Sequence, residues 1–227
     1  MDTKQMKLRI LASALLFGMA LTCLGAVSRI QVASANAATV SISSTSANDL
    51  ILVFTYSSAG TTPTTATGYT SATNGSGTGQ AFRAGYKVSA GGDTDCGTWT
   101  NATQIVCHVY RGALAIGTGT NQTFNNTAGT SATIPSITME VTSGSSWVAA
   151  FVGAKTATSM TNSTTLLTNQ TNVATACGLD SGTGLTAYAG ETLTIPSSRY
   201  MSTTIEVKSS GAAPPPPSTN FLTFFKP

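Results

Sequence analysis

At 227 residues the chain has room for one substantial domain plus end segments. Charged residues make up only 8% and hydrophobic residues 41%, so a folded core is expected and the composition of a disordered chain is excluded. The formal charge of +3 comes from the N-terminus, since from Ala38 onward seven basic residues balance seven acidic ones, and a neutral body without a basic cluster excludes nucleic acid as a partner.

Residues 1–37 read as a leader. Lys4, Lys7 and Arg9 precede an apolar stretch over 10–27, and small-x-small sites follow at Ala33-Ser34-Ala35 and Ala35-Asn36-Ala37. These are the parts of a secretory signal peptide. Arg29-Ile30-Gln31-Val32 intervenes and makes a long c-region. Two other readings compete: an uncleaved anchor, since the apolar stretch can just span a bilayer, and a hydrophobic arm buried in an assembly. Contact with a membrane is expected only through this leader, if it is not cleaved.

Residues 38–210 read as a β-sandwich domain built of short strands separated by Gly, Thr, Asn and Ser loops. The clearest buried strand is 49–56 (DLILVFTY), apolar on both faces at its centre. A strand over 80–89 follows a Thr/Gly loop, residues 97–112 read as a hairpin, and 137–141 with 146–154 read as a second buried pair. Strands over 185–195 and 200–208 close the domain. In the last, Met201, Thr203, Ile205 and Val207 alternate with Ser202, Thr204, Glu206 and Lys208, the period of a strand with one wet face. With no helical period after the leader, the expected class is all-β: a single antiparallel, jelly-roll-like β-sandwich.

Residues 211–227 carry a linker with four prolines, Pro214 to Pro217, and then a terminal hydrophobic strand. Phe221, Leu222, Phe224 and Phe225 would be an aggregation hazard if left free. They are expected either to pack on their own domain or to add as a strand to a neighbouring subunit, where backbone pairing supplies affinity.

If Asn101-Ala102 is the two-residue turn of the 97–112 hairpin, Cys96 faces Cys107 directly across it. Directly opposed residues are close to disulfide reach, and an exported chain would meet an oxidising compartment. A Cys96–Cys107 disulfide is therefore expected, with Cys177 left over, either buried and inert or free.

No catalytic set is legible. The single histidine, His108, lies in a strand whose neighbour Cys107 points to the opposite face, so a structural role is expected. Zinc lacks ligands, and Asp93-Thr94-Asp95 is too sparse for calcium, so no metal and no cofactor are expected. The few carboxylates show no local pairing of the kind glycoside hydrolysis requires. Trp99 and Trp147 could stack on sugars, although core packing is the commoner fate at such positions.

Several segments occur in a telling order: residues 49–54 (DLILVF), a Thr-Pro loop leading to Gly68-Tyr69-Thr70, Gly85-Tyr86-Lys87-Val88, Gly91-Gly92-Asp93, and Thr98-Trp99-Thr100 with Val109-Tyr110-Arg111-Gly112. In these the chain resembles a family of β-sandwich domains of phage virion and tail-associated proteins and exported bacterial surface proteins. The resemblance covers about a quarter to a third of the chain, marks a fold and carries no catalytic residues. It implies a structural, accessory or adhesive module at a cell or virion surface. The expected function is a non-enzymatic structural subunit of an extracellular assembly, a virion surface or a filament, with copies of itself or other structural proteins as partners. The alternative is a monomeric secreted module that binds a surface glycan.

Overall fold

The structure, a computed structural model, describes residues 26–156 and 159–209. These residues hold eleven strands and no helix, arranged as two antiparallel sheets packed face to face. The first sheet is made of β1 (Ser28–Ala35), β2 (Ala47–Ser57), β3 (Thr70–Gly77), β4 (Gln80–Ala90) and β5 (Gln104–Arg111), in the spatial order β1-β5-β2-β4-β3. The second holds β6 (Ala113–Ile116), β7 (Asn121–Ile134), β8 (Trp147–Ala154), β9 (Asn169–Val173), β10 (Ala176–Asp180) and β11 (Glu191–Ser209). There β6 and β7 share one side of β11, and β8, β10 and β9 follow on the other. Neighbours within each sheet are largely non-sequential, the long-range pairing that a jelly-roll-like sandwich calls for.

Burial on both faces explains the continuous apolar runs. In β2, Leu50, Leu52, Phe54 and Tyr56 point between the sheets, where Phe54 stacks on Phe151 of β8 with ring centroids 5.2 Å apart. Ile51 and Val53 point the other way, yet they too are buried. Loops carrying Val40, Ile42, Ala66, Cys96 and Trp99 fold over the outer face of the first sheet and form a second core with them. The second sheet repeats the device. Ala149 and Phe151 of β8 face inward, whereas Val148, Ala150 and Val152 meet Ile137, Met139, Met160, Leu167 and Tyr188 from covering loops. Each sheet is thus sealed on both faces, and strands sealed in this way lose the alternating pattern of a half-wet sheet.

Several expectations change. Residues 28–35, grouped above with the leader segment 1–37, form β1 and pair with β5 from Ser28↔Arg111 to Ala35↔Ile105. The 97–112 hairpin does not form. Cys107 has Val53 and Ala33 as its strand partners, and residues 97–103 are covering loop rather than strand. Residues 137–141 are not a strand paired with 146–154: β8 pairs with β10 and β11, while Ile137 makes one isolated bridge to Tyr188. Nor is the polar face of β11 wet. Ser202, Thr204 and Glu206 are buried because they bind loop backbone, Ser202 and Thr204 at the carbonyls of Thr133 and Pro135 and Glu206 at the amides of Glu140 and Val141.

Candidate functional site

The densest group of polar side chains lies between the sheets at the β1/β9 side. It gathers Arg29 from β1, His108 and Tyr110 from β5, Asn169 from β9 and Asp180 from β10. Strand alternation turns Val106, His108 and Tyr110 inward and leaves Cys107 and Val109 on the outer face. In β10 the alternation brings Ala176, Gly178 and Asp180 inward in the same way. Asp180 is fully buried and accepts from the Arg29 guanidinium at 2.8 Å, Asn169 Nδ2 at 2.8 Å, the Gly182 amide at 3.1 Å and the Tyr110 hydroxyl at 3.2 Å. A buried carboxylate so surrounded has its lone pairs occupied and its charge compensated.

His108 completes the group, with Nδ1 2.9 Å from the Tyr110 oxygen. The single Tyr110 hydroxyl proton is given to Asp180, so Nδ1 must carry the hydrogen that binds the tyrosine oxygen. Nε2 then holds a lone pair, and no hydrogen-bond partner reaches it. It points at Gly178, where a Cβ would come within 2.7 Å of Nε2, so only glycine leaves room for the ring. Burial, helped by the positive charge of Arg29, pushes the imidazole down to about 3, and it is neutral at physiological pH. Burial and the Asp180 charge push the Tyr110 hydroxyl well above its ordinary range. Asp180, Tyr110 and His108 thus form a proton-ordered chain with no exposed member, which fits a core-locking network rather than a site that meets substrate.

The other described carboxylates are also engaged. Asp49 binds Arg111 at 2.9 Å, Asp93 binds Lys87 at 2.6 Å, and Asp95 takes the Gly97 amide at 2.7 Å. Glu140 binds Lys208 at 2.7 Å and accepts from Thr118. Glu191 caps the amides of Thr165 and Leu166, and Glu206 those of Glu140 and Val141. Among the described residues no cluster of His, Cys, Asp and Glu is placed to hold a metal ion.

The sulfur chemistry is simple. Cys96 and Cys107 are disulfide-bonded, with Cα atoms 6.4 Å apart, and the bond pins a covering loop to β5 instead of bridging a hairpin. Such a bond is compatible with an oxidising compartment. Cys177 is free and buried, and burial pushes its thiol up to about 12. Trp99 is fully buried and donates from its indole nitrogen to the Cys96 carbonyl at 2.8 Å. Trp147 is partly buried and sets its ring edge against Tyr110. Phe221, Leu222, Phe224 and Phe225 lie outside the described residues. Shallow grooves beside β7 are lined mainly by hydroxyl, amide and backbone groups, one of them by Thr120, Asn121, Ser136 and Thr138.

Sequence reasoning missed Arg29, Asn169 and Asp180. Arg29 and Asp180 are 151 positions apart, and only the packing of β1 over the second sheet joins them. The one local signal was a lone arginine beginning an otherwise uncharged strand. No protein-family model, no curated protein and no solved structure matches the chain. The fold alone defines its class: a two-sheet antiparallel β-sandwich stapled by one disulfide.

Proposed function

We propose that this chain is a non-enzymatic structural subunit or surface module of an extracellular assembly, of the virion-surface or filament kind, joined to its neighbours through the C-terminal hydrophobic segment, residues 221–225. The observation that carries the reading is the fate of the acids. Each of the seven described carboxylates is engaged in holding backbone or a structural cation, which leaves none of them free for proton transfer. A fold that commits its acids in this way is built for durable contact. The two-layer burial and the disulfide support the same reading, because both favour persistence outside the cell. The resemblance to virion and bacterial-surface sandwich domains points in that direction too.

The test is light scattering on the exported protein beside a variant with Phe221, Leu222, Phe224 and Phe225 all changed to Ser. Assembly of the parent but not of the variant is expected. Monomers in both cases would remove the assembly through this segment and leave a module that acts alone on a surface glycan.

A further inference from the structure

We propose that export processing cuts this chain between Gly25 and Ala26, and that the mature protein keeps residues 28–35 as its first strand. The two small-x-small sites at 33–37 would instead discard β1. That loss would strike the fold at three places. Val27 is 3% exposed and belongs to the core between the sheets. Arg29 supplies the cation 2.8 Å from Asp180, whose side chain has no exposure, and a buried carboxylate stripped of its partner is among the costliest defects a core can carry. Gln31 exchanges two hydrogen bonds with the Ser43 backbone, donating to the carbonyl at 3.0 Å and accepting from the amide at 2.7 Å. Removing β1 would also bare the edge of β5 along seven register pairs.

A leader peptidase acts while the chain is still extended, so folding does not shield the later bonds. What disfavours them is the product, a sandwich without its edge strand and with Asp180 unpaired. An earlier site answers both demands. Cys23-Leu24-Gly25 has small residues at the first and third positions and follows the apolar residues 10–21 after a single threonine, Thr22, with the basic Lys4, Lys7 and Arg9 upstream. That gives the order of basic, apolar and small-residue regions in a leader of ordinary length. Ala26, which would become the new N-terminus, is exposed, while Val27 is buried next to it. The reaction is hydrolysis of the Gly25–Ala26 amide by a leader peptidase. Water adds its hydroxyl to the Gly25 carbonyl carbon, the C–N bond breaks, and the proton goes to the Ala26 nitrogen.

The inference shares only export with the proposed function, and it is read from the N-terminus rather than from particle size. The full chain, residues 1–227, would be expressed in a bacterium with its own leader and the exported species analysed by N-terminal sequencing and intact mass. A first residue of Ala26 is expected. Gly25→Leu should abolish that start, while Ala37→Leu should leave it unchanged. A mature chain beginning at Asn36 or Ala38, a lipid-modified start at Cys23, or retention of Met1 would each overturn the proposal.

Discussion

The two outer flanks of the sandwich solve one problem by different chemistry. Both sheets carry apolar residues on their outer faces, and both hide them under loops. On the first sheet the cover is held by a covalent bond and an aromatic wedge: the Cys96–Cys107 disulfide and the buried Trp99 ring. On the second, carboxylates grip the loop amides, with Glu206 holding Glu140 and Val141 while Glu191 holds Thr165 and Leu166. The difference teaches where a chain with so few charges spends them. Its acids act as staples for backbone that has no strand partner, a task that needs a strong acceptor rather than a hydrated surface. The first flank should therefore respond to redox state and the second should not.

The sharpest way to break the comparison is at Trp99. A Cβ on Gly85 would approach the Trp99 ring to 2.5 Å, so the indole lies directly on β4 where that strand has no side chain. Trp99→Ala should destabilise the domain by about 3–5 kcal/mol through the cavity it opens. Equilibrium denaturation would read this, and a loss below about 1 kcal/mol would show that the first flank is not held by its wedge. The disulfide comes next. It closes a short loop of sequence separation 11. Cys96→Ser should cost about 2–3 kcal/mol under oxidising conditions and almost nothing relative to the reduced parent. Equal melting of mutant and parent in both conditions would remove the staple from the account.

On the second flank, Glu206→Gln keeps the shape but weakens the acceptor. The Glu140 and Val141 amides lie 2.8 and 3.0 Å from its two oxygens, and only one of these remains an acceptor in glutamine. A loss of about 1–2 kcal/mol is expected from the weakened charge-assisted bonds. It should be the same with and without reductant, which separates it from the cysteine variant.

The legibility of the two flanks in the sequence also differed. Strand β2 announced itself because its apolar run is unbroken, and the Cys96–Cys107 pair was read correctly from spacing. The geometry given for it was wrong, because a hairpin was the shortest path that brings the two sulfurs together. In fact the loop climbs over the sheet, guided by burial of Trp99 and Ala66. Strands β3 and β7 are not among the strands legible in the sequence, since Thr70–Gly77 and Asn121–Ile134 carry few large apolar side chains. They are strands because they lie at the sheet margins, where backbone pairing with β4 and β11 suffices. The polar side of β11 misled for the opposite reason. Its serine and threonine hydroxyls and its carboxylate are buried because they serve loop backbone, and periodicity cannot see that service. The Arg29–Asp180 contact was invisible because the lone arginine of β1 does not name its partner, 151 positions away.

The smallest effect expected is the acid response of the second flank, and it isolates the carboxylate device most cleanly. The Lys208 ammonium and the Thr118 hydroxyl and amide hold the Glu140 carboxyl down to about 2, against an ordinary 4.5. A group held below its unfolded value stabilises fully above that value and loses its contribution as pH falls through the folded one. The tie from Glu140 to the 118 loop should thus be intact above about pH 4.5, weaken between 4.5 and 2, and be gone below 2. Global melting would blur this window. His108, held at about 3 by burial, makes the unfolded chain take up a proton below about 6.5 and lowers stability over an overlapping range. Hydrogen exchange at the Thr118 amide, which donates to Glu140, avoids the overlap. Compared at each pH with Glu140→Gln, the parent amide should be better protected at pH 6, with the difference shrinking below 4.5 and vanishing near 2. A difference independent of pH would mean that Lys208 and Thr118 hold this loop without the charge of Glu140, and the second flank's hold on its loops would then rest on the amide contacts of Glu206 and Glu191.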